Sequence, residues 1–385
     1  MDIVSVGPIE SGPEAFRKEL AVVSSRLAGR KLGVVYLPID VDHKAYLSAA
    51  HEGLGDMVVG LTTSGAAFTE RGETRNGVVA AVFGGQGFDY AVEMAKGCSK
   101  DPGAAIGAAA TKVVDAARRR MLKSQALLTF ADAFACEGEI LVNHLQRATP
   151  PHWHHFGCTA GDDWKFERTC VFAGAEVESD AAVLVGLFSD DAPSVGVHHG
   201  WQPMEDGREF TITDIEGKTL RTLDDRPAAE VYREELARLG VYADGDDILA
   251  TMARHELGAR TRHSEFKIRA PLAIRDDGSV MLASGLAHGT MVRVMGASPD
   301  RLIASASELS QRVLQAKGNA PIRGGLVFDC GARLQLLAER YPEEVAAFSG
   351  GRSFPLVGVT GYGEFARYGG SVEGFHNATS VMVAW

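Results

Sequence analysis

A seven-residue stretch that occurs twice, and a third time in looser form, constrains this chain more than any other feature. VGLTTSG over 59–65 lies ungapped on VGVTGYG over 357–363, and FGCTAGD over 156–162 is the third version. Each copy sits in the same surroundings. Upstream is a short apolar run (LGVVYLPID, ALLTFAD, GGLVFDC) that reads as a buried strand, followed by a helix-compatible segment. Downstream come further strands, NGVVAAVF, TCVFAGAEVESDAAVLVGLF and NATSVMVAW. The recurring unit therefore reads strand, helix, strand, glycine turn, strand, and the intervening helix supplies the crossover that parallel pairing of the first two strands needs.

The repeated turn has two explanations. It is a tight hairpin whose threonine bonds its own backbone, or the turns converge and offer their amides to a ligand. On the second reading the candidate ligand-binding residues are Thr62, Thr63, Ser64 and Gly65 of the first copy, Gly161 and Asp162 of the second, and Tyr362, Gly363 and Glu364 of the third. His376 and Asn377, just before the last strand SVMVAW, join them. Asp162 and Asp163 also suit backbone capping.

Between the second and third copies the pattern changes. Residues 212–240 read as two strands around Glu216-Gly217 and a helix from Pro227 to Gly240. Residues 264–298 continue as strands with Asp277-Gly278 as a hairpin turn, and Pro299-Asp300 opens an amphipathic helix. A chain of 385 residues exceeds the size at which single cores usually divide. Together these features predict an α+β protein of two related domains, 1–215 and 216–385, with mixed β-sheets covered by helices in a layered α/β/β/α-like arrangement. The net charge of −11 excludes a general nucleic-acid binder, because phosphate recognition needs clustered cations. The one basic run, ARRRMLK, reads as the solvated end of a helix. No stretch of about eighteen apolar residues and no basic leader is present, so a cytoplasmic protein without membrane insertion is expected.

The run GGLVFDCGARLQLL…EEVAAF…FPLVGVTGYGEF…FHNATSVMV, together with GLTTSG and GCTAGDDWKFERTCVF, resembles the FIST family over nearly the whole chain, from about Leu32 to Trp385. That resemblance implies paired N- and C-terminal sensory domains in a signal-input protein that binds a small ligand. Larger members fuse the module to chemoreceptor, cyclase or kinase outputs, and eukaryotic relatives carry an F-box. Here the output is expected to come from a separate signalling protein, such as a histidine kinase or cyclase. The resemblance also implies an alternative, since some stand-alone bacterial relatives are haem-binding nitric oxide sensors that act on a histidine kinase.

For haem, the candidate axial ligands are His154, His155, His198, His199 and His376. The paired cysteine spacings of zinc sites are missing. Cys330, Glu364 and His376 offer a nucleophile, an orienting acid and a base for a cysteine-dependent enzyme, against the plainer reading of Cys330 as an inert buried thiol. Arg333, with Glu364 and Asn377, could supply both charges for an amino-acid-like ligand, the guanidinium taking the carboxylate. An internal Arg333–Glu364 ion pair is the competing reading.

Overall fold

The computed structural model describes residues 1–243, 245–261, 265–368 and 374–385. Three units of one design follow each other. The first comprises β1 (Asp2–Ile9), α1 (Pro13–Arg26), β2 (Leu32–Leu37), α2 (His43–Leu54), β3 (Met57–Thr62), β4 (Ala67–Thr69), β5 (Gly72–Thr74) and β6 (Val78–Gly84). The second repeats the order with β7 (Phe88–Lys96), α3 (Pro102–Arg118), β8 (Ser124–Ala131), α4 (Gly138–Ala148), β9 (His154–Thr159), β10 (Val171–Ala173), β11 (Glu176–Glu178) and β12 (Ala181–Ser189).

The third unit opens with β13 (Ser194–His198) and is then interrupted. The insertion holds β14 (Gln202–Pro203), β15 (Glu209–Glu216), β16 (Thr219–Leu223), β17 (Arg226–Pro227), α5 (Ala228–Arg238), α6 (Ile248–Met252), β18 (Leu257–Arg260), β19 (Phe266–Arg269), β20 (Pro271–Ile274), β21 (Val280–Leu282) and β22 (Met291–Gly296). The unit resumes with α7 (Pro299–Ala316), β23 (Gly325–Cys330), α8 (Gly331–Leu337), α9 (Tyr341–Ala347), β24 (Leu356–Gly361), β25 (Gly363–Arg367), β26 (Gly374–His376) and β27 (Ser380–Ala384).

The three sheets have one topology: β1-β6-β2-β3-β10-β11, β7-β12-β8-β9-β25-β26 and β13-β27-β23-β24-β4-β5. In each, the two strands flanking a helical crossover are parallel, as the sequence suggested. The glycine turn does not close a hairpin with its own unit. It sends the chain across to another sheet, so β4–β5 of the first unit completes the third sheet, β10–β11 of the second completes the first, and β25–β26 of the third completes the second. The exchange is cyclic.

Strands such as β2, β8, β23 and β24 are apolar almost throughout because both faces are covered. Their inner faces meet in one core that joins all three sheets, including Tyr36, Phe130, Phe156, Phe328 and the terminal Trp385. Their outer faces carry α1 and α2, α3 and α4, or α7 to α9. The fold is thus α+β, with mixed sheets covered by helices. Local signals place the helices as expected. Asp42 caps α2 by accepting from the Ala45 N–H, and Gly55 ends it at φ 72°. Ser298 caps α7, and Arg118 lies in the last turn of α3.

The insertion forms a separate nine-stranded sheet with its own core. The predicted turns at Glu216-Gly217 and Asp277-Gly278 connect β15 to β16 and β20 to β21. The division expected at 215/216 falls in β15. Among the described residues no helix is long and apolar enough to cross a membrane.

Candidate functional site

The three glycine turns meet. Ser64 N–H donates to Thr360 O (2.8 Å), Gly161 N–H to Thr62 O (2.8 Å) and Tyr362 N–H to Thr159 O (3.3 Å), a ring in which each turn is held by the threonine of another copy. The threonine hydroxyls repeat the pattern: Thr62 donates to Gly161 O (2.7 Å), Thr159 to Gly363 O (3.4 Å) and Thr360 to Ala66 O (3.0 Å). A Cβ on Gly161 would collide with Ser64, which is why glycine stands there. Thr62, Ser64 and Gly161 are therefore occupied in holding the turns together, while the Thr63 N–H donates to Leu37 O (3.0 Å) within its own unit. Gly65 (φ 112°) lies against Leu334 at the edge of a different cleft.

Asp162 is likewise engaged. Its carboxylate accepts from the N–H groups of Phe166 (3.0 Å), Glu167 (2.7 Å) and Arg168 (2.9 Å) and from the Tyr362 hydroxyl (2.5 Å). It clamps a loop in which Asp163, Trp164 and Phe166 have positive φ of 55°, 64° and 55°.

The third copy differs. Glu364 on β25 stands opposite His376 on β26 in the antiparallel register, and Cys330 at the end of β23 is beside Gly361 of β24. Glu364 and His376 are buried, as is Asn377. Among the described residues, both carboxyl oxygens of Glu364, the His376 Nε2 and both amide atoms of Asn377 find no hydrogen-bond partner of proper geometry, although the Cys330 thiol and the Thr379 N–H face the carboxyl. Buried polar groups are almost always paired, and leaving one unpaired costs about 1–3 kcal/mol.

Electrostatics keep this cluster uncharged. Burial, with the nearby Asp329 adding to it, holds the Glu364 carboxyl well above the usual carboxylate range. Burial, reinforced by Lys267 and Arg269, holds the His376 imidazole well below its ordinary range. Burial and then Glu364 push the Cys330 thiol up. A neutral thiol beside a neutral acid is not an activated nucleophile, so the geometry gives no support to a cysteine-dependent reaction.

Cys330 and Asn377 form part of the wall of a pocket of about 110 Å³, with Gly361, Tyr362 and Phe375 of the third unit. The second unit contributes Phe134, Cys136, Trp164 and Phe166, and the insertion contributes Lys218 and Leu272. Phe375 is wedged where a side chain on either Gly138 or Gly363 would clash with its ring. Trp164, Phe166 and Tyr362 pack on one another with centroids 5.0–5.6 Å apart and make one aromatic wall. The inserted sheet is fastened over the pocket by the Lys267–Glu139 pair (2.8 Å), by Arg269 on Glu139 and on Phe375 O (3.2 Å), and by the Gly285 N–H on Glu137 (2.7 Å).

Arg333 does not take the role expected of it. It is fully buried and held by Glu344, Asp329, the carbonyls of His199 and Leu302, and Ser305, so its fork is not free for a ligand and does not pair with Glu364. The candidate haem ligands do not converge either. The His155 ring nitrogen bonds Thr149 (2.8 Å) and Arg367 (2.7 Å), His198 bonds Glu308 (2.9 Å), and His199 bonds Phe266 O (3.1 Å) and the Trp201 N–H (3.0 Å). His154 borders a separate groove beside Lys317 and Tyr368. His376 precedes Asn377 of the pocket wall without lining the pocket itself, and the pocket's volume of about 110 Å³ is well below the roughly 300 Å³ at which drug-sized ligand sites begin. A porphyrin does not fit there. Among the described residues no three His, Cys, Asp or Glu side chains are grouped to hold a metal ion.

Sequence reasoning did not single out Lys218, Leu272, Phe134, Trp164, Phe166 or Phe375. Trp164 and Phe166 follow the second glycine turn directly, so adjacency to that turn could have flagged them. Lys218 and Leu272 arrive from the insertion, and nothing local marks them.

Two family models match the chain: the FIST N domain over residues 31–226 and the FIST C domain over residues 228–367. No curated protein matches it significantly.

Proposed function

The chain belongs to the FIST family, and from that premise we propose that the pocket between the second unit, the third unit and the inserted sheet is the ligand site of a signal-input protein. FIST domains are associated with sensing small ligands in signal transduction. The observation that carries the assignment is the set of unpartnered buried polar atoms on Glu364, His376 and Asn377, next to a pocket whose wall includes Asn377 and Cys330. A ligand that hydrogen-bonds there relieves the cost of leaving those groups unpaired.

The ligand is small and amino-acid-like, with its ammonium directed to Glu364 and Asn377. Its carboxylate meets Lys218, the cation that lines the pocket, since Arg333 is engaged elsewhere. Occupancy favours one placement of the inserted sheet against α4, and a separate output protein such as a histidine kinase or cyclase reads that preference. The site shape favours this reading over haem-based nitric oxide sensing.

Thermal-shift titration with an amino-acid panel tests it. At least one member raises Tm, because a ligand that binds only the folded state stabilises it, and Glu364→Gln removes the effect. No stabilisation by any member, or equal stabilisation of the variant, refutes the assignment. Adding hemin gives no Soret band of a bound haem; a band that His376→Ala abolishes would restore the haem reading.

A further inference from the structure

We infer that the pocket selects ligands that join a primary ammonium group to a single planar apolar ring, that is, arylalkylamines and aromatic amino acids, rather than small polar amines. This rests on the ligand-site reading above and adds the chemistry of both ends.

The inner end calls for a donor. Glu364 faces Cys330 of the pocket wall, and once a bound cation draws off its proton to solvent, Glu364 and Asn377 present three oxygen acceptors without partners among the described residues, against one amide donor, with His376 Nε2 open as well. An ammonium carries three donors and no acceptor, and matches that surplus better than a hydroxyl or a carboxylate does. Lys218, which also lines the pocket, repels a cation left near it and so favours the ammonium at the Glu364 end.

The outer end calls for a ring. Trp164, Phe166 and Tyr362 form a continuous aromatic wall, and Phe134 approaches Tyr362 at 6.5 Å between centroids. Phe134, Phe166 and Leu272 are 47%, 49% and 39% exposed although they border the pocket, which is unusual for such side chains grouped together. A planar group laid against them removes that apolar surface from water. At about 110 Å³ the pocket is smaller than the apolar cavity of about 150 Å³ that accommodates benzene, so it takes no more than a single ring, which extends against the exposed faces of Phe134, Phe166 and Leu272.

Calorimetric titration of the full chain with phenethylamine, ethylamine and benzyl alcohol separates the possibilities, with the Phe166→Ala and Glu364→Gln variants alongside. Phenethylamine binds at least about tenfold tighter than ethylamine, as expected from burying a ring. Benzyl alcohol binds weakly. Phe166→Ala, at a half-exposed position that leaves folding intact, weakens phenethylamine by about tenfold and leaves ethylamine unchanged. Equal binding of the two amines, or indifference of phenethylamine to Phe166→Ala, overturns the aromatic selection while leaving the site assignment standing. Benzyl alcohol binding as well as phenethylamine overturns the ammonium. Binding of phenethylamine that Glu364→Gln does not change overturns the site assignment itself.

Discussion

Asp329 and Cys330 are consecutive residues at the end of β23, yet they lead into polar clusters of opposite character. Asp329 accepts from Ser380 (2.7 Å) and Tyr341 (3.0 Å) and pairs with Arg333 (3.2 Å), whose guanidinium nitrogens are all hydrogen-bonded. Cys330 faces Glu364, near His376 and Asn377, whose polar atoms are left open. Adjacent residues of a strand point to opposite faces. The outer cluster fastens α8 and α9 to the sheet. The inner cluster lies beside the pocket and fastens nothing. Polar groups of similar burial thus serve unlike ends, and what distinguishes them is whether the protein itself supplies the partner.

Removing a member of each cluster breaks or sharpens that contrast. The largest effect belongs to Arg333→Met, which strands Glu344 and Asp329 and costs about 3–5 kcal/mol in urea unfolding. Next is Asp162→Ala, which frees three loop N–H groups and the Tyr362 hydroxyl and costs about 2–3 kcal/mol. Glu364→Gln should be neutral, or stabilise by about 1 kcal/mol, while abolishing ligand response. A loss on the scale of the Arg333 variant would show that Glu364 is structural and erase the distinction.

The sign of a pH effect sharpens it further. The folded-state pKa of Glu364 lies above its unfolded value, so unfolding releases a proton and the group's contribution, present below the unfolded pKa, is lost as pH rises. Glu256, raised by burial, and Glu344, pushed up to about 8 by burial, act in the same direction, and the neutral buried His155, His199 and His376 act oppositely. The difference in unfolding free energy between the parent and Glu364→Gln isolates one carboxyl. It should move against the parent between about pH 5 and 8, by at most about 1.4 kcal/mol per pH unit; a flat difference would mean that Glu364 is ionised in the folded protein. The smallest effect is kinetic. At neutral pH a thiol reagent should label the partly exposed Cys136 well before Cys330, and rapid labelling of Cys330 would revive the nucleophile.

The repeated unit was legible because each of Thr62, Thr159 and Thr360 has a glycine two residues before it and a turn glycine two or three after, and the parallel strands followed from the helices between them. Which sheet each later strand joins was not legible, since strand pairing across units leaves no local trace in β4, β10 or β25. Glu364, His376 and Asn377 were found as polar residues crowded into a glycine-rich segment. Arg333 was misread for a physical reason: its partners sit on separate elements, Asp329 at the end of β23 and Glu344 on α9, so the tie that occupies its fork is assembled only by the fold. The aromatic wall escaped because loop residues with positive φ follow neither the helix nor the strand period.

The cyclic exchange of hairpins means that no unit owns a complete sheet. Cutting the gene between units would leave every fragment with an unclosed edge and a missing strand pair, so the three copies can only have settled into place together. A disturbance at one junction also has nowhere to dissipate locally, because each strand that enters a junction is anchored in a sheet belonging to someone else.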